Sequence, residues 1–115
     1  MPVTHLEHVN TRSADVEKTR SFYENFLGLK AGPRPAFASK GYWMYLDGRP
    51  ILHLVQRPAG EAAQPNSGNV DHIAFRGTDR DALRTALVTA GVTYRETETQ
   101  VFVHDPDGLK IEINF

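Results

Sequence analysis

Leu6-Glu7-His8-Val9-Asn10-Thr11-Arg12 and Val70-Asp71-His72-Ile73-Ala74-Phe75-Arg76 are one pattern written twice, 64 residues apart. At that offset Glu7 pairs with Asp71, His8 with His72, Val9 with Ile73 and Arg12 with Arg76. Asp15 then falls on Asp79 and Arg20 on Arg84. A gap of one residue brings Leu27-Gly28-Leu29 over Ala90-Gly91-Val92, and Asp47-Gly48 corresponds to Asp107-Gly108. Because the elements also recur in the same order, the chain reads as a duplication of one half-length unit.

Each unit reads β-α-β-β-β. In the first, Thr4–Thr11 alternates as a strand, and Asp15 is placed to accept the free N–H groups of a following helix. Val16, Thr19, Phe22, Tyr23 and Phe26 recur at helical spacing, and Gly28 supplies a left-handed stop. Short strands are expected at residues 29–31, 42–46 and 51–56, with Asp47-Gly48 as a hairpin turn. The second unit repeats the plan. Asp79 is its cap, Leu83, Ala86, Leu87 and Ala90 its apolar face, Gly91 its stop. Strands are expected at 93–96, 100–104 and 110–114, the last two hinged at Asp105-Pro106-Asp107-Gly108. The fold class is therefore α+β: a single domain over 1–115, made of module 1–57 and module 69–115 joined by a linker at 58–68. Gly32–Gly41 is a second long loop, suited to form a rim or lid.

Composition narrows the function. The chain has 115 residues, 40% of them hydrophobic, and a net charge of −1, which fits one ordinary soluble domain. Lys and Arg are scattered singly, so nucleic acid is not an expected partner. No apolar run approaches the ~18–20 residues that span a bilayer, and Met1-Pro2-Val3-Thr4-His5 lacks a secretory pattern, so a cytoplasmic location is expected. With no cysteine and five histidines, any metal chemistry must rely on imidazole and carboxylate.

Four such groups sit where a strand should be apolar. His8 and His72 occupy the same place at the start of each module. His53 lies within Ile51-Leu52-His53-Leu54-Val55 and Glu112 within Lys110-Ile111-Glu112-Ile113-Asn114. With one residue of slack after the Asp-Gly turn, these two are also equivalent. Singly, each has an ordinary reading as a hydrogen-bonded or solvent-facing strand residue. Together they form a competent shell for one divalent ion such as Fe, Mn, Ni, Co or Zn, through three imidazoles and a carboxylate or through two imidazoles and a carboxylate.

These stretches, with Phe22-Tyr23-Glu24-Asn25-Phe26-Leu27-Gly28-Leu29 and Val101-Phe102-Val103-His104-Asp105-Pro106-Asp107-Gly108-Leu109-Lys110-Ile111-Glu112, resemble the vicinal oxygen chelate superfamily. That superfamily groups glyoxalase I, extradiol dioxygenases, fosfomycin-resistance proteins and bleomycin-binding proteins. The resemblance implies two βαβββ modules forming a curved half-open barrel around a divalent metal. It places His8, His72 and Glu112 on the three usual ligand positions, and His53 on a fourth that glyoxalase-type members often fill with glutamate. It also implies a homodimer whose sites are shared between chains.

The expected function is then a metal-dependent enzyme acting on a small molecule that offers two neighbouring oxygens, a glyoxalase-type isomerase or lyase. A ring-cleaving extradiol dioxygenase and a non-catalytic drug- or toxin-binding protein are the alternatives. His53 and Glu112 are the candidate catalytic groups, His53 either as a fourth ligand or as a base. Trp43, Tyr45, Phe75 and His104 are candidate pocket residues; Tyr42, Tyr45 and His104 match a dioxygenase's acid–base groups by type only. Arg12 and Arg76 read equally as partners of the Asp caps or as anion binders. The chain stops at Phe115 without the cationic residues that a fosfomycin-type transferase would carry after the metal glutamate.

Overall fold

A computed structural model of the chain describes residues 2–62 and 67–115. It has ten elements in the order β1 (Val9–Ser13), α1 (Val16–Leu27), β2 (Lys30–Gly32), β3 (Gly41–Leu46), β4 (Arg49–Gln56), β5 (His72–Arg76), α2 (Arg80–Thr89), β6 (Tyr94–Glu96), β7 (Gln100–His104) and β8 (Lys110–Asn114). The βαβββ plan thus occurs twice. β1 starts later than the alternation suggested, so His8 immediately precedes it. Part of the linker, residues 63–66, lies outside the described residues.

The helix ends follow local chemistry. The Asp15 carboxylate accepts from Lys18 N at 3.2 Å, and Gly28 closes α1 at φ 72°. Asp79 accepts from Ala82 N at 3.1 Å, and Gly91 follows α2 at φ 69°. Each satisfies backbone groups that a helix terminus leaves without an internal partner.

Each module folds into one four-stranded mixed sheet, in the orders β1-β4-β3-β2 and β5-β8-β7-β6. The first strand lies parallel to the last, and the other pairs are antiparallel. Strand alternation then sorts the side chains onto two faces. Met44, Leu52 and Leu54 of the first sheet face the α1 residues Val16, Phe22 and Tyr23, while Val101, Val103, Ile111 and Ile113 of the second join Leu83 and Leu87 of α2. All belong to one hydrophobic cluster, and α1 touches α2, so a single core unites the modules. The faces away from the helices carry His53 and Trp43 in one sheet and Glu112 and Phe102 in the other.

A polar latch crosses between modules. The Tyr23 hydroxyl on α1 donates to Asp105 Oδ2 at 2.7 Å, and Asp105 Oδ1 accepts from Asp107 N and Leu109 N at 2.9 and 3.0 Å. Asp107 accepts from Ala14 N and from the Thr19 hydroxyl, both at 2.9 Å. The Asp-Pro-Asp-Gly segment, expected only to turn the chain, therefore also docks the second module on the N-terminal turn of α1.

The exposed face of α2 is tied to β6. Glu96 Oε2 accepts from Arg80 Nη2 at 2.8 Å and Arg84 Nη2 at 3.0 Å, and these hydrogen bonds hold its carboxyl below the usual range. A depressed carboxyl contributes stability above the ordinary carboxylate range, and that contribution is lost as pH falls through the lowered value. Glu96→Gln should therefore lose less stability than the wild type between pH 5 and pH 3, read as urea midpoints. Equal losses would show that the guanidinium pair does not couple to folding.

Candidate metal centre

The strand registers make the two modules superimpose at the site. Asn10, two residues after His8, pairs with His53; Ala74, two residues after His72, pairs with Glu112. His53 and Glu112 are therefore equivalent by register, each on the last strand of its module and on the face away from the helix.

In the second sheet, His72 Nε2 lies 3.5 Å from Glu112 Oε1. Two donors each about 2.1 Å from one ion, at angles between octahedral and tetrahedral, sit about 3.0–3.4 Å apart, so this pair is close to bidding for the same ion. Glu112 Oε2 accepts from Asn114 Nδ2 at 2.8 Å, which leaves Oε1 towards His72. The Nδ1 atoms of both first histidines are engaged by the preceding acid, His72 by Asp71 at 2.8 Å and His8 by Glu7 at 3.0 Å.

In the first sheet the His8 and His53 rings stack, with centroids 3.9 Å apart and planes 8° apart. Trp43 stacks on the other side of His53 at 4.2 Å and 11°. An imidazole lone pair lies in its ring plane, and two nearly parallel, displaced planes share no point near both rings. As placed, these two rings cannot ligate one ion together; one must turn first. His53 is 8% exposed, and its Nε2 lies 3.1 Å from the Pro50 carbonyl. A carbonyl only accepts, so Nε2 carries the proton and Nδ1 keeps the lone pair. Burial, and next the nearby His8, push the His53 pKa down, which favours the neutral ring.

Among the described residues, no group of three or more His, Asp and Glu side chains converges. The four expected donors instead form two pairs, His8/His53 on one sheet and His72/Glu112 on the other. The donors themselves suit a divalent first-row ion: imidazole nitrogens with free lone pairs and one half-buried carboxylate oxygen.

The remaining candidates divide by face. Trp43 sits against His53, and Tyr45 shares its side of β3 but is occupied in donating to the Pro33 carbonyl at 2.5 Å. His104 lies beside Lys110 at the start of β8, at the exposed edge of the Glu112 face. Phe75 lies on the other face of β5, paired with Ile113; it is half-buried against the core and also lines a cavity with Glu7 and His8. Tyr42 faces the helix, where its hydroxyl donates to Glu17. Arg12 pairs with Glu61 at 2.7 Å rather than with the Asp15 cap. Glu7, Asp71 and Lys110 were not singled out from sequence, although Glu7 and Asp71 stand at matched places in the repeat.

Comparison with known proteins agrees with this plan. A family model described as "Glyoxalase/Bleomycin resistance protein/Dioxygenase superfamily" matches residues 5–113. Glyoxylase I 4 of Arabidopsis thaliana is 28% identical, over 96% of this chain and 70% of that protein. Among solved structures, a glyoxylase/bleomycin resistance protein/dioxygenase domain from Frankia sp. EAN1pec superimposes with a TM-score of 0.79 at 18% identity, covering 98% of each chain. The genomically encoded fosfomycin resistance protein FosX of Listeria monocytogenes superimposes at 0.75 with 20% identity, over 97% of this chain and 91% of that one. At such identities the two structures bear on the fold alone.

Proposed function

The chain belongs to the glyoxalase/bleomycin resistance protein/dioxygenase superfamily, and on that premise we propose that it is a divalent-metal-dependent isomerase or lyase of glyoxalase type. Its substrate is a small molecule with two neighbouring oxygens. The observation that carries this reading is the His72–Glu112 pair, set with free Nε2 and Oε1 at 3.5 Å on the open face of its sheet. The likeness to a protein named as a glyoxylase I favours isomerase or lyase chemistry over ring cleavage.

We assign the metal to His8, His72 and Glu112. A divalent ion held there supplies Lewis acidity to the substrate's adjacent oxygens. His8 and the His72–Glu112 pair lie on different sheets, and the helices of the two modules meet at the core; these observations support a donor set completed between two copies of the chain. The open face of the first module in one copy lies over that of the second module in the other, giving a symmetric dimer with two sites.

The proton transfer falls to His53. Its Nε2 is committed to the Pro50 carbonyl and Trp43 packs its ring, so Nδ1 is presented in a fixed orientation. A neutral imidazole with one nitrogen anchored can take a proton from one carbon and return it to the next. Trp43 and Phe102 line the open faces and keep water from the reacting carbons.

Metal analysis tests the assignment. Protein purified without added metal should carry close to one divalent ion per chain, and His72→Ala and Glu112→Ala should each abolish it. Unchanged metal content in both variants would refute the site. His53→Ala should keep the metal and lose turnover, whereas loss of metal would make His53 a ligand.

A further inference from the structure

We propose that Asp71, tethered by Lys110, is a positioning residue that fixes His72 with Nε2 as its metal donor; this rests on the metal site assigned above. The geometry is a chain of four side chains. Lys110 Nζ lies 2.8 Å from Asp71 Oδ2, which lies 2.8 Å from His72 Nδ1, and His72 Nε2 lies 3.5 Å from Glu112 Oε1.

An ionised carboxylate accepts and never donates, so a ring nitrogen hydrogen-bonded to it carries the proton. Two carboxylates face His72, but only Asp71, at 2.8 Å from Nδ1, is hydrogen-bonded to it; Glu112 stands off at 3.5 Å from Nε2. The single proton of the neutral ring therefore sits on Nδ1, and the lone pair on Nε2 is aimed at Glu112. A free imidazole populates both tautomers and several ring orientations. An anchored one has already met the cost of choosing before the ion arrives.

Lys110 has a second consequence. It stands opposite His72 in the strand register and two residues before Glu112, on the same face. Left to itself, its ammonium would be placed on the same face as the Glu112 carboxylate, two residues away, and would compete with a metal ion for it. Asp71 draws that ammonium away. Glu112 then keeps Asn114 on Oε2 as its neutral partner and Oε1 uncommitted to a cation.

The duplicated module lacks the tether. Glu7 engages His8 Nδ1 in the same way, but the register partner of His8's neighbour Val9 is Leu52, so the residue before it on β4, Ile51, stands where Lys110 stands in the second module. Among the described residues no Lys or Arg pairs with Glu7, so Glu7 is the weaker anchor. Asp71 should therefore matter more than Glu7.

Two readouts on the full-length protein test this. In the metal-free protein, long-range ¹H–¹⁵N spectra should show the His72 proton on Nδ1, moving to a mixture or to Nε2 in Asp71→Ala. Asp71 is exposed, with 71% of its side chain accessible, so the variant should fold. At one fixed neutral pH, the Co²⁺ dissociation constant should rise about 10–100-fold in Asp71→Ala. It should rise less in Lys110→Met and in Glu7→Ala, and recover in Asp71→Glu. An unchanged tautomer and affinity in Asp71→Ala, while His72→Ala abolishes Co²⁺ binding, would overturn the positioning role and leave the metal site standing. Co²⁺ binding that survives His72→Ala would overturn the metal site and this inference with it.

Discussion

Asp105→Ala is expected to lower the unfolding free energy by about 3–5 kcal/mol, a large part of the ~5–15 kcal/mol that stabilises an ordinary domain. Three donors lose their acceptor at once: the Tyr23 hydroxyl and the backbone N–H groups of Asp107 and Leu109. Tyr23 is fully buried and Asp105 is 5% exposed, so water cannot easily replace the missing partner. Each buried group left unpaired costs about 1–3 kcal/mol. The loss also frees the turn whose Asp107 docks on α1, so the contact between modules weakens with it. Tyr23→Phe removes one donor and should cost only about 1–2 kcal/mol. Urea unfolding followed by the fluorescence of Trp43, the chain's single tryptophan, measures both. A loss under about 1 kcal/mol for Asp105→Ala would show that the latch adds nothing beyond the apolar core.

The pH dependence of this latch has the opposite sign to that of Glu96. Burial pushes the Asp105 carboxyl up, against the pull of its three donors. The folded state then holds that proton more tightly than the unfolded chain does. Its contribution is present below the ordinary carboxylate range and declines as pH rises through the raised value. Measured against Asp105→Asn, which does not titrate, wild-type stability should improve as pH falls from 7 towards 4. A constant difference would contradict this.

Mixing two inactive variants should restore about a quarter of the wild-type metal sites if the donor set is shared across a symmetric dimer. His8→Ala alone and Glu112→Ala alone each spoil both sites of a homodimer. After subunit exchange, half of the dimers combine the two variants. In each of these, one site inherits both lesions, and the other receives His8 from one copy with His72 and Glu112 from its partner. Bound metal and turnover should rise together on mixing, from near zero. No recovery after exchange, verified by mass spectrometry, would place the full donor set within one chain. The two donor pairs on separate sheets are what make this test decisive.

Much of the architecture was legible because it depends on short-range patterns. Asp15 and Gly28 bracket α1, and Asp79 and Gly91 bracket α2, since capping chemistry acts within a few residues. The bounds of β7 and β8 match the expected 100–104 and 110–114, where alternation is clean. β1 begins at Val9 rather than Thr4, because Thr4–His8 alternates without a partner strand to pair with and the ladder with β4 begins at Val9. Phe75 has two environments that residue type does not separate: it packs on the core beside Ile113, and it lines a cavity shared with Glu7 and His8.

The sequence by itself determined that the chain is a duplicated βαβββ unit, with histidine and glutamate at matched points, because repeats, caps and alternation are properties of neighbouring residues. Only the tertiary structure decided how those points are distributed. It put His8 and His53 face to face on one sheet and His72 and Glu112 edge to edge on the other. It also gave Asp71 and Lys110 to His72, and joined Tyr23 to Asp105 across 82 positions of chain. These contacts depend on which strand lies beside which and on the side each residue faces, and no local pattern carries that information.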